Sequence, residues 1–337
     1  MVLLFCIHFN LLLSYATGLV PFRYNFRRRR FVPCKPCVPA ATVLLLLFAG
    51  VQYKLGRLPE RMKIPKVGMQ DIIHTVENLV LNGNCVLIAV QQLRFLGTYR
   101  RLLTDLLANA RTFARLGSVG RFAQVQLLAQ LVLLPCAVYA LHTFVYLTLM
   151  EPAEFNIVHA ILFMVSLIPN IAHVNNFYAL LFVQRLTLGE INDKLANLWT
   201  ICIRHTTNQL PASVAELLPA AHHLQHLLEQ YQQCAGTLQT ILQQYSLTFF
   251  YQFTHFYTLS MGNPSPFELE AMGTMMILVY GLDTAQLIAN CYAISEQMVA
   301  AISNFVVLLM QFHIEYSKSK LSYWHNHNVT KPLKSTH

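Results

Sequence analysis

Apolar stretches long enough to cross a bilayer recur along the chain, and short polar segments separate them. A transmembrane helix needs roughly 17 to 25 mostly apolar residues. Pro39–Tyr53, inside an uncharged run centred on VLLLLF, predicts a first span. Asp71–Leu96 predicts a second, but His74, Glu77, Asn78, Asn82 and Asn84 punctuate it, so it must lean on other helices rather than face lipid all round. The uncharged run from Phe122 to Met150, broken only by Pro135, predicts the third. A fourth lies in Phe155–Gln184, where Pro169 and Asn170 predict a kink whose freed backbone groups are satisfied by neighbours. It runs on through RLTLGEINDKLANLW into a polar helix, and a soluble stretch, Thr200–Gln244, follows with a turn near Pro211. Aromatic-rich Tyr245–Met261 predicts a fifth span, Ala271–Ile294 a sixth and Met298–Phe312 a seventh.

Two other segments are amphipathic rather than spanning. LLTDLLANARTFARLG, between Thr98 and Arg121, places apolar residues at helical spacing with arginines opposite, and predicts a cytoplasmic helix. Met1–Phe22 is uncharged, but His8, Asn10, Ser14 and Tyr15 interrupt it, so it is expected to lie along the inner leaflet as an amphipathic helix.

Composition agrees with a membrane protein. Of 337 residues, 55% are hydrophobic and 12% charged, against roughly 25% charged in a soluble domain. The net charge of +9 lies in short blocks between apolar segments, which topology and anionic lipid headgroups explain more simply than nucleic acid. The arginines at 23 and 27–30, and those of the second-to-third connection, belong inside; the connections at Glu151/Glu154 and Glu268/Glu270 contain no Lys or Arg and belong outside. The first-to-second loop, with Lys54, Arg57, Arg61, Lys63 and Lys66, runs against that pattern. The expected fold is an all-α membrane protein of seven transmembrane helices with an inner amino terminus, an outer carboxyl terminus and helices extended into the cytoplasm. Residues 1–38 are read as a cytoplasmic segment, 39–316 as the seven-helix domain and 317–337 as a tail, with a glycosylation sequon at Asn328 that suits an outer tail.

The eight cysteines are scattered and form no disulfide framework; Cys34 and Cys37 are expected as juxtamembrane thiols open to palmitoylation. His222, His223 and His226 put two imidazoles one turn apart, as metal ligands stand. No second box accompanies them, which favours a polar helix face over a His-box membrane enzyme, and no metal or cofactor is expected. A multi-pass transporter is the alternative class, but inverted repeats with broken helices are not evident. Ligand contacts are expected in the outer halves of the spans: Tyr139, His142 and Tyr146 on the third, His159 and Ser166 on the fourth, Tyr251 and His255 on the fifth, with the mid-span charge Asp283 marking an interior face.

The final span carries a motif. In NFVVLLMQF, Val306–Met310 are five apolar residues followed by Gln311 and Phe312. The chain resembles the insect gustatory receptor family, whose closing motif is T-Y, five apolar residues and Q-F; Asn304 and Phe305 stand in place of T and Y. Weaker likenesses are GLVPF at Gly18–Phe22, RLTLGEINDKLANL and LIANCYAISEQ. The resemblance implies a tetrameric, ligand-gated cation channel at the plasma membrane of sensory neurons, opened by a small tastant and built as a homo- or hetero-tetramer with related receptors. It puts the pore gate at Leu308 and Phe312, which share a helix face, with Gln311 beside them. Bitter compounds are favoured because no acidic sugar-binding cluster stands out. The family places a connection and a further half-helix between its last two spans, where this chain has only Ser295–Gln297. That leaves either one long helix or a missing piece, and the missing piece is the favoured expectation.

Overall fold

The computed structural model describes residues 2–55, 83–117, 119–149, 157–207, 214–261 and 267–329. In chain order these form α1 (Val2–Ala16), a hairpin of β1 (Phe22–Asn25) and β2 (Arg30–Pro33), α2 (Cys37–Leu55), α3 (83–94), α4 (Leu96–Leu116), α5 (Arg121–Leu128), a π-helical turn (Ala129–Leu133), α6 (Leu134–Leu149), α7 (Ile157–Thr207), α8 (Val214–Met261) and α9 (Phe267–Val329). They divide into two compact units, Met1–Val183 with Gln239–Cys291, and Gln184–Leu238 with Tyr292–His337. The protein is overwhelmingly helical, and three described stretches are long and apolar enough to cross a membrane: Cys37–Lys54, Arg121–Leu141 and Thr284–Gln311. No more than 28% of each is buried inside the protein. Most of that apolar surface therefore faces outward, where lipid covers it more cheaply than water.

In the first unit, buried Leu19, Leu45, Ile88, Ala89 and Ala172 join α2, α3 and α7 to the segment after α1. Gly18 is needed there. Its φ of +79° suits glycine, and a Cβ would meet the Ala41 carbonyl oxygen of α2 at 2.8 Å. The Leu19 carbonyl accepts a hydrogen bond of 2.8 Å from Gln92 of α3. GLVPF is thus the point where the chain passes between helices.

Several sequence expectations meet their structural counterparts. On α4, Tyr99, Leu102, Leu103, Leu106, Leu107, Ala110 and Phe113 are buried, which is the apolar face the spacing predicts. On α3, Asn84, Gln91 and Gln92 are buried, so this half of the second span does lean on neighbours. The helix of the fourth span continues without interruption into the polar one, giving α7 its 51 residues. In the turn before Pro169 the Ser166 carbonyl accepts a hydrogen bond of 2.6 Å from Gln52. Pro135 takes a different course. The turn just before it widens to the π form at Ala129–Leu133, an accommodation suited to a proline that lacks an N–H and crowds the preceding carbonyl.

Other expectations are corrected. The fold is not wholly helical: Phe22–Asn25 and Arg30–Pro33 pair antiparallel, with Arg23 opposite Val32. Asn25 accepts from the Arg28 amide, and Arg29 takes φ 50° to close the turn. Cys34 and Cys37 are joined as a disulfide rather than standing as two free thiols. Helix α1 does not rest alone on a surface, because Leu3, Cys6, Ile7, Asn10, Leu11 and Ser14 are packed inside the first unit. The predicted sixth and seventh spans, finally, are one helix: α9 runs unbroken for 63 residues through Ser295–Gln297. Its sequence there, AISEQMVAA, holds no Gly or Pro and several good helix formers, so nothing in it stops a helix. Asn192 donates to the Gln297 carbonyl at 3.0 Å, tying that turn to α7.

The second unit is a three-helix layer. Ile191, Leu195 and Leu198 of α7, Leu224 and Leu227 of α8, and Ala301, Phe305 and Leu308 of α9 form one buried cluster. Each set recurs at three and four, a single stripe per helix. Tyr231 meets Phe305 edge-on, with ring centroids 5.8 Å apart.

Candidate functional site

The densest chemistry in the first unit lies on α7, where every residue from 172 to 184 is buried. Ser166, Asn170, His173 and Phe177 recur at four, three and four and share one face. All four are buried. Asn170 accepts through Oδ1 from Asn84 at 2.9 Å and from the Cys85 thiol at 3.5 Å, and Cys85 also reaches the side chain of Gln52. The Asn170 Nδ2 makes no hydrogen bond. One turn on, the Tyr245 ring of α8 stacks against both His173 and Phe177, with centroids 4.8 Å and 5.0 Å apart.

Around the helix from this face, Asn176 holds a second set of polar groups. It accepts from Asn10 of α1 at 2.7 Å and donates to Ser14 at 2.9 Å and to the Tyr99 hydroxyl of α4 at 3.2 Å. The Tyr245 hydroxyl approaches that of Tyr99 but makes no hydrogen bond of good geometry. Asn175 likewise leaves its Nδ2 without a partner. A buried donor left unmade costs about 1–3 kcal/mol, and such groups mark a place where water or a ligand completes the bonding. Asn170, Asn175 and Tyr245 are therefore the points of this seam where hydrogen-bonding capacity is left over.

Of the residues selected from sequence, Ser166 heads the α7 stripe and is fully buried. Tyr139 lies on α6, half-buried, with its hydroxyl unpaired. His142, Tyr146, His159, Tyr251, His255 and Asp283 sit on helical backbone, but their side chains lie outside the described residues, as do those of Phe312 and Asn328. Gln311 is half-buried on α9. Leu308 is 1% exposed, inside the apolar cluster of the second unit, while its neighbours Val306, Val307, Leu309 and Met310 are exposed. His222, His223 and His226 are exposed on α8, and His226 stands 3.2 Å from the Gln230 amide. Cys234 is a structural thiol: it donates to the Gln184 side chain at 3.0 Å, and burial pushes its pKa up to about 11.

The sequence reading missed Asn170 as a contact and overlooked His173, Asn175 and Asn176 altogether. The signal was present. PNIAHVNNFY sets four polar side chains inside an uncharged run, and polar groups at membrane depth are expensive unless they face protein or a ligand.

No curated protein and no solved structure matches the chain. A family model does, described as 7tm Chemosensory receptor, and it covers residues 7–296, which takes in both α7 and the α8 tyrosine but stops short of NFVVLLMQF at 304–312. With buried polar contacts on α7 inside a bundle whose apolar helices face outward, and with that match over most of its length, the chain belongs to the 7tm chemosensory receptor family.

Proposed function

We propose that this chemosensory receptor is a gustatory-type subunit whose small-molecule ligand binds along the Ser166–Phe177 face of α7, against Tyr245. The observation that carries the reading is the unpaired Asn170 amide on the same α7 face as His173, whose ring stacks on Tyr245. The face begins at Ser166, one of the residues that the sequence selects on the fourth span. Its side chains are aromatic or neutral and polar, with no carboxylate among them. That suits a bitter-type molecule with an apolar body and one or two acceptors better than a polyol.

In this reading, binding opens a path for cations in a tetramer at the plasma membrane, with Leu308, Gln311 and Phe312 at its narrow part. The gate rests on the motif alone. Leu308 packs against α7 and α8 within its own chain, so lining a pore would require the 304–312 segment to leave that packing. Expression of the full chain in cells, with currents recorded against a panel of bitter compounds, tests both halves. Tyr245→Phe should shift the dose–response to higher concentration, and substitution of Gln311 should change ion selectivity. Unaltered responses in both variants of a conducting receptor would remove the reading.

A further inference from the structure

The arginines that sequence distributes over two separate loops are brought onto one surface. The hairpin carries Arg23 and Arg27–Arg30, all exposed. It docks on α4 through three contacts. The Phe31 amide donates to Thr104 at 3.3 Å, Arg111 donates to the Tyr24 hydroxyl at 2.6 Å, and the Phe22 and Tyr99 rings lie 6.1 Å apart. Helix α4 adds exposed Arg101 and Arg115. No acidic residue precedes Glu60 in the chain, and α4 has a single carboxylate, Asp105.

The position of this surface is as telling as its charge. Four residues after β2 ends, the apolar stretch Cys37–Lys54 begins, and five residues after α4 ends, the apolar stretch Arg121–Leu141 begins. The basic surface therefore adjoins the ends of two helices fit to cross a bilayer. Phe26 at the hairpin tip is unburied (82% exposed), as is Phe122 at the head of α5, where the second apolar stretch begins (80%). An exposed phenyl ring beside basic groups at a span end suits the boundary between headgroups and acyl chains.

Positive charge alone would follow from topology, and lysine serves that purpose as well as arginine. The connection with Lys54, Arg57, Arg61, Lys63 and Lys66, and the tail with Lys318, Lys320, Lys331 and Lys334, do use lysine. The hairpin and α4 use arginine throughout. Its planar fork binds phosphate through two parallel hydrogen bonds, which an ammonium cannot do. We infer that the docked hairpin and α4 form a binding site for a polyphosphorylated inositol lipid of the membrane, with Arg27–Arg30 on the headgroup phosphates and Phe26 in the acyl layer.

The test uses the full chain in mild detergent and a short-chain fluorescent phosphatidylinositol bisphosphate read by polarisation. Short-chain phosphatidylserine and the free inositol phosphate headgroup serve as competitors. Each surface arginine contributes roughly fivefold to attraction to an anionic lipid. Neutralising Arg27–Arg30 together as glutamine should therefore weaken binding on the order of a hundredfold or more. Changing the same four to lysine, which keeps the charge and changes little else on the exposed tip, should still weaken it by about tenfold if phosphate is gripped by two-point contacts. Lys318→Gln with Lys320→Gln should change nothing, and Phe26→Ala should bring the lipid down to the affinity of the free headgroup. The site is refuted if the lysine variant binds like the parent, if the tail variant loses as much as the hairpin variant, or if phosphatidylserine competes equally well.

Discussion

The two halves of α7 are buried differently, the first taking polar groups inside with its apolar ones and the second apolar residues alone. From Ser166 to Val183 it turns Asn170, His173, Asn175 and Asn176 into the first unit, beside helices whose apolar residues Val43, Leu46 and Leu47 are exposed. From Ile191 to Leu198 it turns Ile191, Leu195 and Leu198 inward in the second unit and leaves Asp193 and Asn197 outside. One continuous helix thus passes from a segment buried on every side, polar groups included, to one with a single buried apolar stripe. Where lipid covers the outside, apolar side chains gain little by turning inward, and polar groups must find partners within the bundle. Where the helix is packed on one side only, its leucines form the inward stripe and its charges stay outside.

This contrast makes graded predictions. The largest effect belongs to Asn176→Leu, which takes the partner from Asn10 and Tyr99 while Ser14 keeps its bond to the Asn10 carbonyl, and should cost about 2–6 kcal/mol, at 1–3 kcal/mol for each group left unpaired. A fall in melting temperature of the detergent-solubilised protein, or loss of folded yield, measures it; an unchanged melt would deny that the polar seam holds α1 and α4 to α7. In the other half, Leu195→Ala should cost about 3 kcal/mol through the cavity it leaves, as should Leu308→Ala. The second substitution also sharpens the gate question. A stability loss with normal conductance places Leu308 in the core, whereas normal stability with altered conductance places it on the ion path.

Smaller effects follow at the surface. Tyr24→Phe removes the hydrogen bond to Arg111 and should cost about 1 kcal/mol, seen as faster proteolysis or hydrogen exchange in the hairpin. Glu190→Gln breaks the Lys194 ion pair at 2.7 Å, whose partners are 40% and 35% exposed. That change should cost under about 0.5 kcal/mol and vanish in high salt.

Much of this was legible in the sequence where one rule acts alone. The 3.6-residue period of α4 gave its buried face, and the polar residues of α3 announced burial. The uncharged run of the fourth span passed without a stop into the polar helix of α7. Legibility failed where two rules compete. The arginines at 27–30 read as a topology signal, which hid a turn that Asn25 and Arg29 close. At Ser295–Gln297 two successive spans demanded a connection and so favoured a missing piece over one long helix, yet nothing in the local sequence stops the helix. At the candidate site the same reasoning that singled out Gln311 as a costly amide applied equally to Asn170, His173, Asn175 and Asn176. Tyr245, at the start of the predicted fifth span, reaches His173 only through tertiary packing, which no local pattern announces.

The central claim is that the α7 face against Tyr245 receives the ligand, and Tyr245→Phe tests it with the least disturbance. The change keeps the stacked ring and removes a hydroxyl that makes no good hydrogen bond in the unliganded protein. Stability should therefore hold or rise slightly. For a compound that activates the receptor, the dose–response should move about fivefold or more to higher concentration, the worth of roughly one hydrogen bond, with the maximal current unchanged. An unshifted dose–response at equal expression and equal melting temperature would contradict the account.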